Sequence, residues 1–163
     1  LADRIALHAV RGQIAWGAQD AQMQMPVSPV NGNGHFIPSV RMDGASAWYS
    51  GSSYGRGNND PSIRDEDTRA NIQRLRTLLP EVAAQIEGHP VHAWAGVRCT
   101  STDRRPLVGQ IEPGLWVTTA MGSRGLTFSA LAGELLAALL HDEPLPIDVR
   151  LAQALAPLRH TRG

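Results

Sequence analysis

The stretch that most constrains the fold is a strand, a glycine turn and a helix in immediate succession. Leu115-Trp116-Val117-Thr118-Thr119-Ala120 is apolar and β-prone, and Gly114 bounds it. Met121-Gly122-Ser123-Arg124-Gly125-Leu126-Thr127 follows, and Phe128 to Leu140 then carries helical apolar spacing. Leu126, Ala130, Gly133, Leu136, Ala137 and Leu140 are the expected stripe. A glycine turn opening a helix leaves backbone N–H groups without intrahelical partners and puts the positive end of the helix dipole behind them. That is a site for an anion, and Gly122 and Gly125 let a ligand approach the backbone closely. The same residues also serve as a plain tight connection, and local sequence leaves both readings open.

The rest of the chain suits one domain with a real core: 163 residues, 42% of them hydrophobic and 18% charged. Fifteen acidic and fifteen basic residues cancel, which argues against a surface dominated by a nucleic-acid footprint. All the basic residues are arginine, the side chain suited to forked recognition of carboxylate or phosphate, although the complete absence of lysine reads first as a genomic composition bias. The single cysteine, Cys99, excludes an internal disulfide and points to a reducing cytoplasm. No run approaches a membrane span, and no signal peptide is visible. The chain opens Leu-Ala-Asp with residues that already look ordered, so it is expected to be an excised piece of a longer protein.

Taken in order, Ile5 to Val10 and Gln13 to Trp16 read as extended, and Asp20 to Gly34 as a loop. His35 to Met42 is a strand turning at Asp43-Gly44, and Ala47 to Tyr54 returns. The small residues of that return leave space above one sheet face. After a glycine-rich loop, Ser62 precedes a helix with Asp65, Glu66 and Asp67 in its first turn. Ile72, Leu75, Leu78 and Leu79 form its stripe; Pro80 breaks it, and Glu81 to Ile86 make a further turn of helix. Val91 to Thr100 is a strand interrupted by Gly96, with Trp94, Val97 and Cys99 set against His92, Arg98 and Thr100. Thr102 to Arg105 turns and Pro106 to Ile111 returns. Beyond the long helix, Asp142 to Pro146 is a loop, Ile147 to Leu158 is a last short helix, and the tail from Arg159 is expected to fray.

Arg98, beside Gly96, can fork onto a carboxylate through two parallel hydrogen bonds or stand as an ordinary strand arginine. Tyr54 and Arg56 flank Gly55 at the end of a small-residue strand, where they line a pocket or an edge. Arg124 inside the glycine turn adds charge at the helix N-terminus or is solvated. None of the six histidines has metal-ligand spacing, so no metal is expected. Cys99, between a valine and a threonine, reads as packing. A Walker loop and a dinucleotide fingerprint are both missing.

The segments Val10-Arg11-Gly12-Gln13, Gly51-Ser52-Ser53-Tyr54-Gly55-Arg56-Gly57 and Gly96-Val97-Arg98-Cys99-Thr100-Ser101-Thr102-Asp103-Arg104-Arg105-Pro106-Leu107-Val108-Gly109 occur in that order. Gly122-Ser123-Arg124-Gly125-Leu126-Thr127, Glu134-Leu135-Leu136-Ala137-Ala138 and Glu143-Pro144-Leu145-Pro146 follow. Together they resemble the C-terminal half of the FAD-dependent oxidoreductase module of the MnmC family. These are the bifunctional tRNA enzymes of 5-methylaminomethyl-2-thiouridine biosynthesis, similar to glycine oxidase, sarcosine oxidase and D-amino acid oxidase. The resemblance covers nearly the whole chain, and the Gly-Val-Arg-Cys and Gly-Ser-Arg-Gly-Leu segments are its most specific parts.

The resemblance implies an α+β fold, a mostly antiparallel sheet with helices on one side. Residues 1–111 would form the substrate part, and residues 112–163 would return to the FAD part. It implies that Gly122, Ser123, Arg124, Gly125, Leu126 and Thr127 face the pyrimidine end of the flavin, and that Arg98 holds the substrate carboxylate. Tyr54 and Arg56 would close the pocket or approach the anticodon. The implied reaction oxidises the secondary amine of a carboxymethylaminomethyl-uridine at the tRNA wobble position to an imine, which water splits to glyoxylate and aminomethyl-uridine. The glycine fingerprint that grips the FAD pyrophosphate would precede Leu1, and the methyltransferase half lies outside this chain. The piece alone is therefore expected neither to bind FAD nor to turn over. Two other readings stay open: a flavin oxidase of a free amino acid such as glycine or sarcosine, and a non-catalytic RNA-contacting module using Arg56, Arg64, Arg69, Arg74 and Arg76.

Overall fold

The computed structural model describes residues 4–42 and 44–159. Twelve elements follow one another among them. They are β1 (Leu7–Ala18), β2 (Val30–Gly32), β3 (Gly34–Met42), β4 (Ala45–Gly51), β5 (Gly55–Arg56), α1 (Asp65–Leu78), α2 (Pro80–Ile86), β6 (His92–Ser101), β7 (Leu107–Glu112), β8 (Leu115–Thr119), α3 (Gly125–His141) and α4 (Val149–Gln153). One sheet has the order β2-β3-β4-β1-β5, with β6 also paired to β1, and β7 and β8 make a separate two-stranded sheet. Contacts divide the chain into two units. The first holds the chain up to Val10, Arg56–Asn58 and everything from Arg98 onwards; the second holds Arg11–Gly55 and Asn59–Val97.

In the second unit β1, β4, β3 and β2 run antiparallel to their neighbours. Met42 pairs with Ala45, so the hairpin turns where Asp43-Gly44 was expected; Gly44 has φ 86°, and Asp43 lies outside the described residues. Ala15, Phe36 and Trp48 meet Leu75, Val82, Ala83 and Ile86 in one core, with Ile72, Leu78 and Leu79 against it. The expected stripe of α1 is therefore the face that packs, and Pro80 starts α2 at the place where the ring cannot continue α1. Burying a leucine the size of Leu75 stabilises by about 1.5–3 kcal/mol.

Arg11 and Gln13 tie β1 to the start of α1. Arg64, the residue before α1, has no side-chain cap of its own. Gln13 substitutes: its Oε1 accepts from Arg64 N at 2.9 Å, and its Nε2 donates to Arg64 O at 2.7 Å and to Thr68 Oγ1 at 2.8 Å. Asn71 Nδ2 donates to Gln13 O at 2.8 Å. Arg11 donates to the Asp67 carboxylate, to Ser62 O at 2.5 Å and to Gln13 Oε1 at 2.8 Å. Gln13 and Asn71 are fully buried, so these bonds are required rather than optional.

In the first unit β7 packs on both faces, as period-two alternation allows. Leu107 and Ile111 meet Ile5 and Ala120, while Val108 meets Ala132 and Leu135 of α3, with Leu145, Ile147, Ala152 and Leu155 around them.

Four expectations are corrected. The buried stripe of α3 is Ala132, Leu135 and Ala138; of the expected stripe Leu136 packs against that core, whereas Leu126 is 99% exposed, Leu140 half exposed, and Ala130, Gly133 and Ala137 also face outward. The last helix covers only Val149–Gln153, started by the Asp148 side chain accepting from Arg150 N. Beyond Gln153 the bonding tightens, Leu155 N donating to Ala152 O and Ala156 N to Gln153 O, and Leu155 O accepts from Val108 N at 2.9 Å. Gly96 does not interrupt β6. Trp94 lies over Gly96 and shares a cavity with Trp16, the ring neighbour of His92, so it belongs with His92 rather than with Val97 and Cys99. Arg159, the first residue of the tail expected to fray, is held through its guanidinium by the Asp103 carboxylate, and the rest of that tail lies outside the described residues.

Candidate functional site

In the first unit Arg98 stands two residues before the buried Thr100 on β6, and its own side chain is half buried, with Nη1 fully enclosed. The glycine turn is stitched to the same strand end. Gly122 N donates to Cys99 O at 2.9 Å, and Thr100 and Met121 form an antiparallel bridge. Gly122 has φ 58°, in the left-handed region, and a Cβ there would come within 3.0 Å of Thr100 Cγ2. Glycine is thus demanded twice, by conformation and by the closeness of β6.

The turn then opens α3. Arg124 N donates to Met121 O at 3.1 Å, and Phe128 N donates to Arg124 O at 3.0 Å. Between them, the amides of Gly125, Leu126 and Thr127 meet no acceptor among the described residues, and Arg124 supplies no side-chain cap. A Cβ on Gly125 would meet only Met121 Cβ, at 3.9 Å. The chain's own packing does not require glycine there, whereas a ligand lying against the backbone would. The Arg124 side chain is not loose: Nη2 donates to Arg104 O at 2.7 Å, and the guanidinium lies 5.0 Å from the Phe128 ring centre.

Arg104 has φ 59°, and the turn that holds it is clamped from the far end of the chain. The Asp103 carboxylate accepts from Arg159 Nη2 at 2.6 Å and Nε at 3.0 Å, from Arg105 N at 3.0 Å and from Ser101 Oγ at 2.9 Å. Arg159 also donates to the carbonyls of Pro106, Ala156 and Arg105. The Arg159 guanidinium, with help from Arg105 N and Ser101 Oγ, holds the Asp103 carboxyl well below the usual carboxylate range against the opposing effect of burial. No local pattern announces Arg159, because its carboxylate partner stands more than fifty residues upstream. In the sequence Asp103 is visible only as part of a turn.

Of the residues expected to carry function, Arg98 and the 122–127 turn are brought together by these backbone bonds. Tyr54 falls in the second unit, 47% exposed, next to Ser53, which exchanges hydrogen bonds with Gln13. Arg56 is exposed on β5, where the following Gly57 N donates to Ala9 O at 2.9 Å. Arg64, just before α1, pairs with Asp60, and on α1 itself Arg76 pairs with Glu87 and Arg74 donates to Asn71 Oδ1. Asp60 is lowered to about 2, chiefly by the Ser62 side chain, then by Ser62 N and Arg64. Among the described residues no group of three or more His, Cys, Asp or Glu could hold a metal ion, and no helix is long and apolar enough to cross a membrane.

An electron-rich carbonyl edge fits this turn: three amide donors, the helix dipole and open space beside Gly125 converge there. Residues 1–139 match the family described as FAD dependent oxidoreductase. The chain belongs to that family. The family's cofactor is FAD, and the amides of Gly125, Leu126 and Thr127 are donors of a kind that an electron-rich flavin edge would fit. The chain is 48% identical to the tRNA 5-methylaminomethyl-2-thiouridine biosynthesis bifunctional protein MnmC of Polaromonas naphthalenivorans (strain CJ2), over 97% of this chain and 26% of that protein. It is 44% identical to the protein of the same name from Delftia acidovorans (strain DSM 14801 / SPH-1), over 94% of this chain and 26% of that one. The chain thus spans about a quarter of the length of the curated relatives it matches. Among solved structures it is similar to glycine oxidase from Geobacillus kaustophilus, with a TM-score of 0.72 and 22% identity over 98% of this chain and 40% of that one. L-proline dehydrogenase from P. horikoshii has a TM-score of 0.71 at 18% identity over 98% and 41%. These two show the fold: an antiparallel sheet with helices, as expected from the sequence.

Proposed function

We propose that this chain is the substrate-facing part of an FAD-dependent amine oxidoreductase acting on tRNA, and that the reaction removes the carboxymethyl group from carboxymethylaminomethyl-(2-thio)uridine at the wobble position. The names of the relatives at 48% and 44% identity support the tRNA part of this reading. The structural support is one observation. The Gly122–Cys99 hydrogen bond and the Thr100–Met121 bridge hold the amide-bearing turn against the strand end that carries Arg98.

The substrate's reacting group ends in a glycine unit, and Arg98 would fork onto its carboxylate. Half-burial of the guanidinium makes that contact stronger than a surface pair. The amides of Gly125, Leu126 and Thr127 would face negative charge that grows as the amine is oxidised. FAD, when bound, supplies the two-electron acceptor for that oxidation. Water then divides the substrate imine into glyoxylate and the aminomethyl nucleoside. Tyr54 and Arg56 would border the entry of the substrate. Residues 1–111 would belong to the substrate part and residues 112–163 to the part that returns to the cofactor. The segment gripping the FAD pyrophosphate would come from the same polypeptide, in the cytoplasm.

The test compares the complete flavoprotein on hypomodified tRNA, glycine and sarcosine, and adds Arg98→Ala. Turnover is expected with the tRNA and not with the free amino acids. Arg98→Ala is expected to raise KM for the tRNA by about 10- to 150-fold, the worth of a charge-assisted hydrogen bond. Turnover of glycine or sarcosine alone would replace the tRNA reading with that of a free-amine oxidase; an unchanged KM would remove Arg98 from its role.

A further inference from the structure

The second unit has a sheet face that its core does not use. Ala15 of β1 and Trp48 of β4 point into the core with α1 and α2, so alternation turns Ile14, Trp16, Ala47 and Tyr49 to the opposite face. Trp16 lies directly across from Tyr49 in the register. Their ring centres are 6.2 Å apart with planes 22° from parallel, and the His92 ring centre is 4.7 Å from that of Trp16.

Trp94 extends the array. A Cβ built on Gly96 would come within 2.5 Å of Trp94 Cη2 and 3.1 Å of Cζ2 and Cζ3. The indole therefore lies over the backbone of Gly96, in space that any other residue would fill. Even so, 61% of Trp94 remains exposed. Trp16, Tyr49 and Trp94, with Ile14 and Ala47, line a cavity of about 560 Å³ that has no charged side chain in its wall.

Trp94, Trp16 and Tyr49 together make a contiguous aromatic face, and it is a contiguous apolar patch rather than a single exposed ring that marks a binding surface. The wall has no charged side chain to meet a carboxylate or a phosphate. It offers flat π faces, which suit a flat, neutral ring. We infer that this face is a stacking platform for an unpaired base of the RNA substrate, with Trp94 and Trp16 as its floor. The inference rests on the tRNA reading above and deepens it, because loop bases are recognised by stacking on aromatic side chains. Phosphate contacts would lie elsewhere.

The experiment uses the complete flavoprotein. The probes are an anticodon stem-loop RNA oligonucleotide with unmodified uridines and the same sequence annealed to its full complement, a duplex with no unpaired base. Binding is followed by quenching of tryptophan fluorescence and by a label on the RNA. Trp94→Leu keeps apolar bulk and removes the flat face; Trp94→Phe keeps a smaller flat face. Trp94→Leu is expected to weaken stem-loop binding by about 5- to 150-fold, the span for one lost base–aromatic stack. Trp94→Phe should recover part of that, Trp16→Leu should repeat it, and duplex binding should not change.

Wild-type affinity in Trp94→Leu, equal weakening towards the duplex, or no stem-loop binding by the wild type would each overturn the platform. So would a shift from dimer to monomer in Trp94→Leu, which would make the face a contact between two copies. Turnover of hypomodified tRNA, measured in parallel, separates this inference from the reading beneath it. Normal turnover with undiminished stem-loop affinity in Trp94→Leu sinks the platform and leaves the reaction standing. Loss of stem-loop affinity in an enzyme that oxidises only free amines sustains the platform and sinks the reaction.

Discussion

Replacing Asp103 with asparagine removes one negative charge from the turn between β6 and β7 while keeping the shape of the side chain. The carboxylate that is lost accepts four bonds, two of them from Arg159 at 2.6 and 3.0 Å. Side-chain exposure is 9% for Arg159 and 25% for Asp103. Breaking a fully buried pair costs about 3–5 kcal/mol, and an exposed pair is worth about 1 kcal/mol or less. Here one partner is a quarter exposed, and Arg159 keeps its bonds to the carbonyls of Pro106, Ala156 and Arg105. About 2 kcal/mol of local stability is therefore at stake. That corresponds to roughly 30-fold faster amide exchange at 1.36 kcal/mol per decade. Hydrogen exchange on the complete flavoprotein should show it in peptides covering residues 101–110, with the α1 peptides unchanged. Because the Asp103 carboxyl sits below its unfolded value near 3.9, its charged form favours the closed turn above about pH 4. That favour drains away as pH falls further, while the Asp103→Asn variant has none to lose. The gap between the two proteins should then narrow at pH 3, after correction for intrinsic exchange rates. Equal protection at pH 7, or a gap that stays constant down to pH 3, would refute the clamp.

Gly122→Ala should lower the thermal midpoint, because φ 58° costs an L-residue about 1–2 kcal/mol and its Cβ would press on Thr100 Cγ2 at 3.0 Å. Gly122→Asn, more tolerant of that conformation, should lower it by less, and equal midpoints for alanine and glycine would contradict the geometry. Leu75→Ala, at 1% exposure in the centre of the second unit's core, should cost about 2–5 kcal/mol in urea unfolding. A change under about 0.5 kcal/mol would mean that α1 does not pack through this residue.

How far the site is legible in the sequence follows from the range of the interactions that make it. The glycine turn can be read from local residues, because Gly122 and Gly125 stand between a β-prone run and a helical one. Arg98 is legible through its motif, and its proximity to the turn is not, since it depends on the backbone bond from Gly122 to Cys99 on a different strand. Arg159 reads as a loose tail because every one of its carboxylate and turn partners is distant. The aromatic face stays hidden because Gly96 reads as a break, when it is the seat for Trp94.

By itself the sequence determined the order and kind of most elements, since turn residues, proline and apolar period act within a few positions. It also determined the face of α1, where polar residues exclude the alternatives and Leu75 must turn inward. Only the tertiary structure decided the face of α3. That helix is apolar on nearly every side, so its own period could not choose, and Val108 of β7 selected Ala132 and Leu135 by lying against them. The segment after α4 was placed in the same way: Val108 N donates to Leu155 O, which holds the chain beyond Gln153 against β7.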